Sequence, residues 1–212
     1  TVIGGAGADA VLVSGTQVDL SAVTFINWDA FSDFVQINGT AGDDVLTGSA
    51  VFDALHGSSG NDTLSGGGDD DFLSGGSGDD ILSGGTGDDE IHGDQGADTM
   101  SGGGGDDRFF FRSASDIRLG EGIDGGAGSD DVIAVYSDSD YDFAGISIAR
   151  VERLVFAANE NVVVSLDQDH IGAGGIVAID GAAGQNVVRI SGSDIDLTDV
   201  VFNTWSANDA II

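Results

Sequence analysis

Aspartate recurs at every ninth residue through the middle of this chain: Asp44, Asp53, Asp62, Asp71, Asp80, Asp89, Asp98 and Asp107. Carboxylates this regular, with hardly a basic residue among them, do not single out a general acid and a general base. They are oxygen donors in bulk, the ligand type that hard divalent cations take. The positions between them are rich in glycine, whose backbone carbonyls add more oxygen donors of the same class. The chemistry on offer is therefore multiple cation binding rather than bond breaking.

The spacing says what must hold these carboxylates. Residues 39–110 divide without gaps into eight nonapeptides of the form G-G-x-G-x-D-x-U-x, where U is a large apolar residue. Gly75-Gly-Ser-Gly-Asp-Asp-Ile-Leu-Ser83 is one unit, and Gly84-Gly-Thr-Gly-Asp-Asp-Glu-Ile-His92 is the next. Position six is Asp in all eight. Position eight is Leu46, Leu55, Leu64, Leu73, Leu82, Ile91, Met100 and Phe109. Positions one to six can turn tightly, because glycine takes φ > 0 without a Cβ clash. Positions seven to nine read as a very short strand whose position eight faces a narrow core, while seven and nine face outward. Two nonapeptides then make one coil of a parallel roll. Coils stack about 4.8 Å apart, with repeat n lying on repeat n+2. Each stacked turn brings an Asp carboxylate and several carbonyls into one gap. Like charges there repel and the carbonyls lack partners, and Ca²⁺ in the gap resolves both.

The nonapeptide block resembles the RTX (repeats-in-toxin) family, with two outlying single copies at Gly4–Leu12 and Gly125–Ile133. The resemblance implies an all-β, right-handed parallel β-roll or β-solenoid, Ca²⁺ between stacked turns, folding triggered by calcium, and export by a type I secretion system. Carried over by position, the ligands would be the eight position-six aspartates with carbonyls from positions one and three: Gly57 and Ser59, Gly66 and Gly68, Gly75 and Ser77, Gly84 and Thr86, Gly93 and Gln95, Gly102 and Gly104. The outlying copies would add Asp9 and Asp130. Two repeats depart from the pattern, with Val51 and Phe52 in one and Asp69 at position four of another, which puts sites at the Val51 turn in doubt. Four coils leave three gaps per edge, so about six ions is the ceiling for this block.

Composition narrows the partners. The formal net charge is −31, and the 37 acidic residues include only four Glu: Glu90, Glu121, Glu152 and Glu160. All six basic residues are Arg, and there is no Cys and no Pro. This balance argues against nucleic acid and anionic membrane surfaces. It also makes the calcium-free chain repel itself, so binding and folding become one event. Sites of this number and type suit the millimolar Ca²⁺ outside cells, a secreted or cell-surface location. No run of 18 apolar residues exists to span a membrane, and no basic-then-apolar leader opens the sequence.

Four segments follow. Residues 1–38 read as solenoid coils of short strands, with a weak helical signal at 29–34. Residues 39–110 are the roll, 111–124 a surface loop, and 125–212 wider coils, the whole forming one elongated domain. The two ends repeat each other at an offset of 177, with Gly4/Gly181, Asp19/Asp196, Phe25/Phe202 and Trp28/Trp205 in register, and Asn186 standing where Asp9 stands. A looser third copy starts at Gly125. His56 and His92, at position nine, read as solvent-facing strand positions, and His170 as part of a polar turn. No H-E-x-x-H, G-x-S-x-G or phosphate-loop pattern occurs, so the reading is not an enzyme. Neither end carries an evident cap. Two functions stay open: a calcium-binding structural module that stacks head to tail on itself or on other domains of a longer chain, or a folding and secretion accessory of an exoenzyme such as a protease, lipase or polysaccharide epimerase.

Overall fold

The computed structural model describes residues 1–29, 32–136, 140–157, 162–172, 174–181, 185–193, 197–205 and 209–212. The chain winds into stacked parallel strands. Among the described residues, one ten-stranded sheet runs from Ala10–Ser14 to Val201–Asn203, and a seven-stranded sheet faces it from Gln17–Asp19 to Ser147–Ala149. A four-stranded sheet, from Asp140–Asp142 to Ala210–Ile211, takes over the second face in the later coils.

Within the nonapeptide block the register steps by 18, one coil of two repeats: Leu64 pairs Leu82, and Leu82 pairs Met100. The other face does the same, with Leu55 beside Leu73 and Leu73 beside Ile91. The core is a double file of these position-eight side chains, every one of them buried. Two nine-residue turns per coil leave room for one apolar side chain from each face. The strands are longer than three residues, however. Thr63–Gly68, Phe72–Ser77 and Ile81–Thr86 each run from position seven to position three of the following repeat. The true turn is only positions four to six. Position four is where glycine is required: Gly78 sits at φ +132°, and a Cβ there would run into the carbonyl of Gly60 in the neighbouring coil.

Beyond Phe109 the coils widen. Register pairs Phe109 with Ile133, Ile133 with Leu154, Leu154 with Ile179 and Ile179 with Phe202, steps of 24, 21, 25 and 23 residues. A wider coil needs more filling, and Phe111, Tyr141, Phe143 and Phe156 supply it. Phe111 meets Phe143 edge-on at 5.2 Å, the favoured aromatic geometry.

Three expectations change. The loop expected at 111–124 is shorter: Phe111 still belongs to the strand Arg108–Phe111, a 3-10 turn occupies Ala114–Asp116, and Gly122–Ala127 rejoins the second sheet. His92 does not face solvent. Outward residues of adjacent coils cover it, Phe110 stacking on the ring at 4.8 Å and Phe72 tilting against it at 5.1 Å. His170 is also buried, its Nδ1 accepting the Asp167 N–H within the turn Gln168–His170. The helical signal at 29–34 lies partly outside the described residues; at its described end, Asp33 N–H donates to the Asp29 carbonyl in a turn.

Because the core is only two side chains wide, a cavity has nothing to collapse onto. Leu82→Ala should cost about 2–5 kcal/mol in saturating calcium, whereas Ile81→Ala, one residue away and outward, should cost under about 1 kcal/mol. Guanidinium unfolding of both variants checks this, and equal losses would contradict the inward–outward assignment.

Candidate metal centre

The position-six aspartates form two continuous files, one along each edge of the roll. In the first, the backbone N–H of Asp44 donates to Asp62 Oδ1 (2.8 Å), Asp62 to Asp80 (2.7 Å), and Asp80 to Asp98 (2.9 Å). In the second, Asp53 donates to Asp71, Asp71 to Asp89, and Asp89 to Asp107, at 2.8, 2.8 and 2.9 Å. Each carboxylate thus spends one oxygen on the coil beneath it. The other oxygen is buried without a hydrogen-bond partner: Oδ2 of Asp62, Asp71, Asp80, Asp89, Asp98 and Asp107. Asp44 differs in that its Oδ2 receives the Thr40 N–H, and Asp53 in that Oδ2 receives Ser49 while Oδ1 is left over.

A second oxygen converges on each orphan. A methyl placed on Gly57 would collide with Asp62 Oδ2 and lie 2.5 Å from the Gly75 carbonyl oxygen of the next coil. Gly39, Gly48, Gly66 and Gly75 repeat this meeting of their own repeat's Asp with the position-one carbonyl 18 residues on. The strand pairing skips the same point: Ser65 pairs Ser83 and Gly67 pairs Gly85, with Gly66 and Gly84 left out between them. At Gly84, Gly93 and Gly102 the Asp oxygen alone crowds the position. The position-three carbonyls are arranged differently. Those of Ser77, Gln95 and Gly104 accept the N–H of Gly60, Gly78 and Gly87, leaving one lone pair each for anything else. Among the described residues no three His, Cys, Asp or Glu side chains gather into a cage. The cradle is one carboxylate with backbone oxygens, a donor set that fits a hard cation.

Electrostatics make the same demand. Burial, reinforced by neighbouring carboxylates, pushes Asp80 and Asp89 up to about 7, Asp71 to about 9, and Asp98 and Asp107 to about 6. Burial alone carries Asp53 to about 6. No Lys or Arg is printed against any of these carboxylates, so nothing in the roll itself neutralises the files.

The files run further than the nonapeptides. Asp98 N–H donates to Glu121 Oε2 (3.3 Å), Asp107 to Asp131 Oδ1 (2.7 Å), and Asp131 to Glu152 Oε2 (3.0 Å). Glu121, pushed by burial to about 8, has an orphaned Oε1. Asp130, expected as the ligand of the outlying copy, stands outside the file: its carboxylate takes Arg153 at 2.6 Å. The turn 125–131 holds one residue more than a nonapeptide turn, so counting from the glycines lands one short. Counting back from the core would have found the right residue, since each acid in the files stands two before a buried apolar side chain, as in Glu121-x-Ile123, Asp131-x-Ile133 and Glu152-x-Leu154. Asp9 sits outside these files, with Oδ2 accepting Gly5 N–H (2.5 Å) and its own N–H donating to Asp33 (2.7 Å). A surface ladder also escaped the sequence reading. Position-five side chains tie coils together in the reverse sense, Asn61 N–H to Asp43, Asp79 to Asn61 and Ala97 to Asp79 on one edge, Asp88 to Asp70 and Asp106 to Asp88 on the other. Asp or Asn at position five in six of eight repeats was the available signal.

Residues 36–50, 50–82 and 74–109 match the family model of the RTX calcium-binding nonapeptide repeat, in four copies. Residues 36–109 are an RTX repeat block. RTX repeats bind Ca²⁺, and the buried aspartate files of this block are built for that ion. No curated protein and no solved structure matches the chain.

The RTX block therefore has a defined pH response when calcium is withheld. Carboxylates with folded pKa raised above the ordinary value near 4 bind more protons wound than unwound, so stability of the ion-free form is greatest below about pH 4. It is lost as pH rises through the folded values of 6 to 9. Circular dichroism in EDTA should show β signal growing from pH 8 toward pH 4, and a signal that instead falls on acidification would contradict the burial of these groups.

Proposed function

We propose that this chain is a calcium-dependent structural module of a secreted protein, wound up by Ca²⁺ on arrival in a calcium-rich exterior. The observation that carries this reading is the file of buried Asp oxygens without donors, each facing a position-one carbonyl. The proposed ligands are the position-six carboxylates of 44–107 with position-one carbonyls, and position-three carbonyls through their remaining lone pair. Calcium at these points supplies positive charge and replaces the missing donors. In its absence the buried charge and the overall −31 oppose winding. A chain that winds only in millimolar Ca²⁺ stays extended inside a cell, which suits passage through a type I channel. No helix among the described residues is long and apolar enough to cross a membrane.

The module also stacks end to end in this reading. The first and last strands of the ten-stranded sheet, Ala10–Ser14 and Val201–Asn203, each have one neighbour among the described residues. Ile3, Leu12 and Ile26 are exposed beside the first, and Val201, Ile211 and Ile212 beside the last. Open parallel edges with apolar side chains pair with another coil unless capped. The ends carry the same unit, the strand pair Val2–Phe25 matching Ile179–Phe202. A second copy can therefore continue the stack as a head-to-tail contact.

Two measurements test these statements separately. Asp80→Asn with Asp89→Asn should raise the calcium midpoint of the circular dichroism transition several-fold, and an unchanged midpoint would remove the ligand assignment. Sedimentation velocity of the wild-type chain in saturating calcium should show concentration-dependent oligomers. A monomer at all concentrations would end the self-stacking proposal and leave other domains of a longer chain as the neighbours.

A further inference from the structure

We propose that Asp131 and the backbone carbonyl of Arg150 form a further calcium site, outside the RTX block and at the join between the narrow and the wide coils. The proposal rests on the calcium reading above and extends it to residues that no nonapeptide template selects.

Asp131 is fully buried, and its Oδ2 has no hydrogen-bond partner. Its Oδ1 accepts the Asp107 N–H, so the carboxylate is held by one oxygen and the other is aimed. The aim is defined by Gly125: a methyl there would lie 2.6 Å from Asp131 Oδ2 and would collide with the Arg150 carbonyl oxygen of the next coil. This is the cradle of Gly57, Asp62 and Gly75, with Arg150 in the place of the upper glycine. Glu152, whose Oε2 takes the Asp131 N–H, brings a second carboxylate to the same gap.

Arg150 is a costly choice for a carbonyl donor, since it sits at φ +51°, where residues with a Cβ are strained. Its side chain explains how that is held. The guanidinium grips Asp124, with Nε 2.7 Å from Oδ1 and the terminal nitrogen on Oδ2, immediately before Gly125. Arg153 clamps the other side, joining Asp130 to Asp180. The two arginines thus staple the coils around Asp131 without touching it, and leave its charge for something else to meet. The same left-handed residue recurs in the N-terminal copy of the unit. There Asn27, at φ +55°, brings its carbonyl oxygen to 2.5 Å from where a Gly4 methyl would be, and Asp9 Oδ2 lies 3.2 Å from that point. A carboxylate, a position-one glycine and a carbonyl from a left-handed residue recur together in the two copies that keep the acid.

Such a site would make winding of residues 122–156 depend on calcium, although the nonapeptide pattern stops at Phe110. The test is the number of ions bound per chain, by native mass spectrometry or equilibrium dialysis with Ca²⁺. Asp131→Asn should bind one ion fewer than wild type and Asp130→Asn the same number as wild type, with Asp80→Asn as the loss expected inside the RTX block. If Asp131→Asn keeps the full count while Asp80→Asn loses an ion, this inference falls and the RTX reading stands. If Asp80→Asn also loses nothing, both fall. Should Asp131→Asn fail to fold, wild-type crystals soaked in Tb³⁺ decide the matter. An anomalous peak about 2.3–2.6 Å from Asp131 Oδ2 and the Arg150 carbonyl supports the site, and peaks confined to the nonapeptide turns overturn it.

Discussion

Everything in this molecule depends on the way each coil holds the next by a carboxylate. A backbone N–H of one turn donates to one oxygen of an Asp in the turn above, and the other oxygen is left buried with no donor. The hydrogen bond sets coil spacing, side-chain aim and register at once. It also accumulates negative charge in a region of low dielectric, where Coulomb repulsion is several-fold stronger than in water. A stack of this kind has a built-in deficit of positive charge. The apolar double file inside is too thin to offset it alone, since a coil of 18 residues buries only two large side chains. Cations are thus part of the fold's construction, as metals are in other small-core domains.

The rest of the architecture answers to that constraint. Turns can stack at strand spacing only where nothing projects, which is why glycine holds position four and why Gly57 and its equivalents leave space at position one. Position-five Asx side chains knit the exposed rim. Past Phe109 the chain changes solution. Coils lengthen by three to seven residues, aromatic side chains fill the larger interior, and Arg150 and Arg153 supply positive charge in covalent form. The acid files persist through this change as Glu121, Asp131 and Glu152, so the wide coils inherit the bonding rule of the narrow ones.

Much of this was legible because it is periodic. Two positions invariant at spacing nine gave the roll, the repeat-on-repeat register and the inward face of every position-eight residue. What escaped was whatever depends on neighbours in adjacent coils. His92 occupies an outward position by its own strand and is buried only because Phe72 and Phe110 flank it from the coils on either side. Asp131 was missed for Asp130 because glycines were taken as the anchor and the turn carries an extra residue, whereas the core side chain Ile133 keeps the register. Residues 112–124 lack a period, yet Glu121 and Ile123 bring them back to the file and the core. The strands reach to position three because glycine does not forbid extended backbone, so a glycine-rich stretch reads as turn even where it pairs.

The central claim is that the chain cannot wind at neutral pH until cations neutralise the files. Small-angle X-ray scattering through a calcium titration at pH 7.4 measures this most directly. In EDTA the 212-residue chain should have the radius of gyration of an unfolded polymer, about 50 Å, and it should contract to a wound rod in one cooperative step as calcium is added. A rod-like profile already complete in EDTA, unchanged by calcium, would contradict the account.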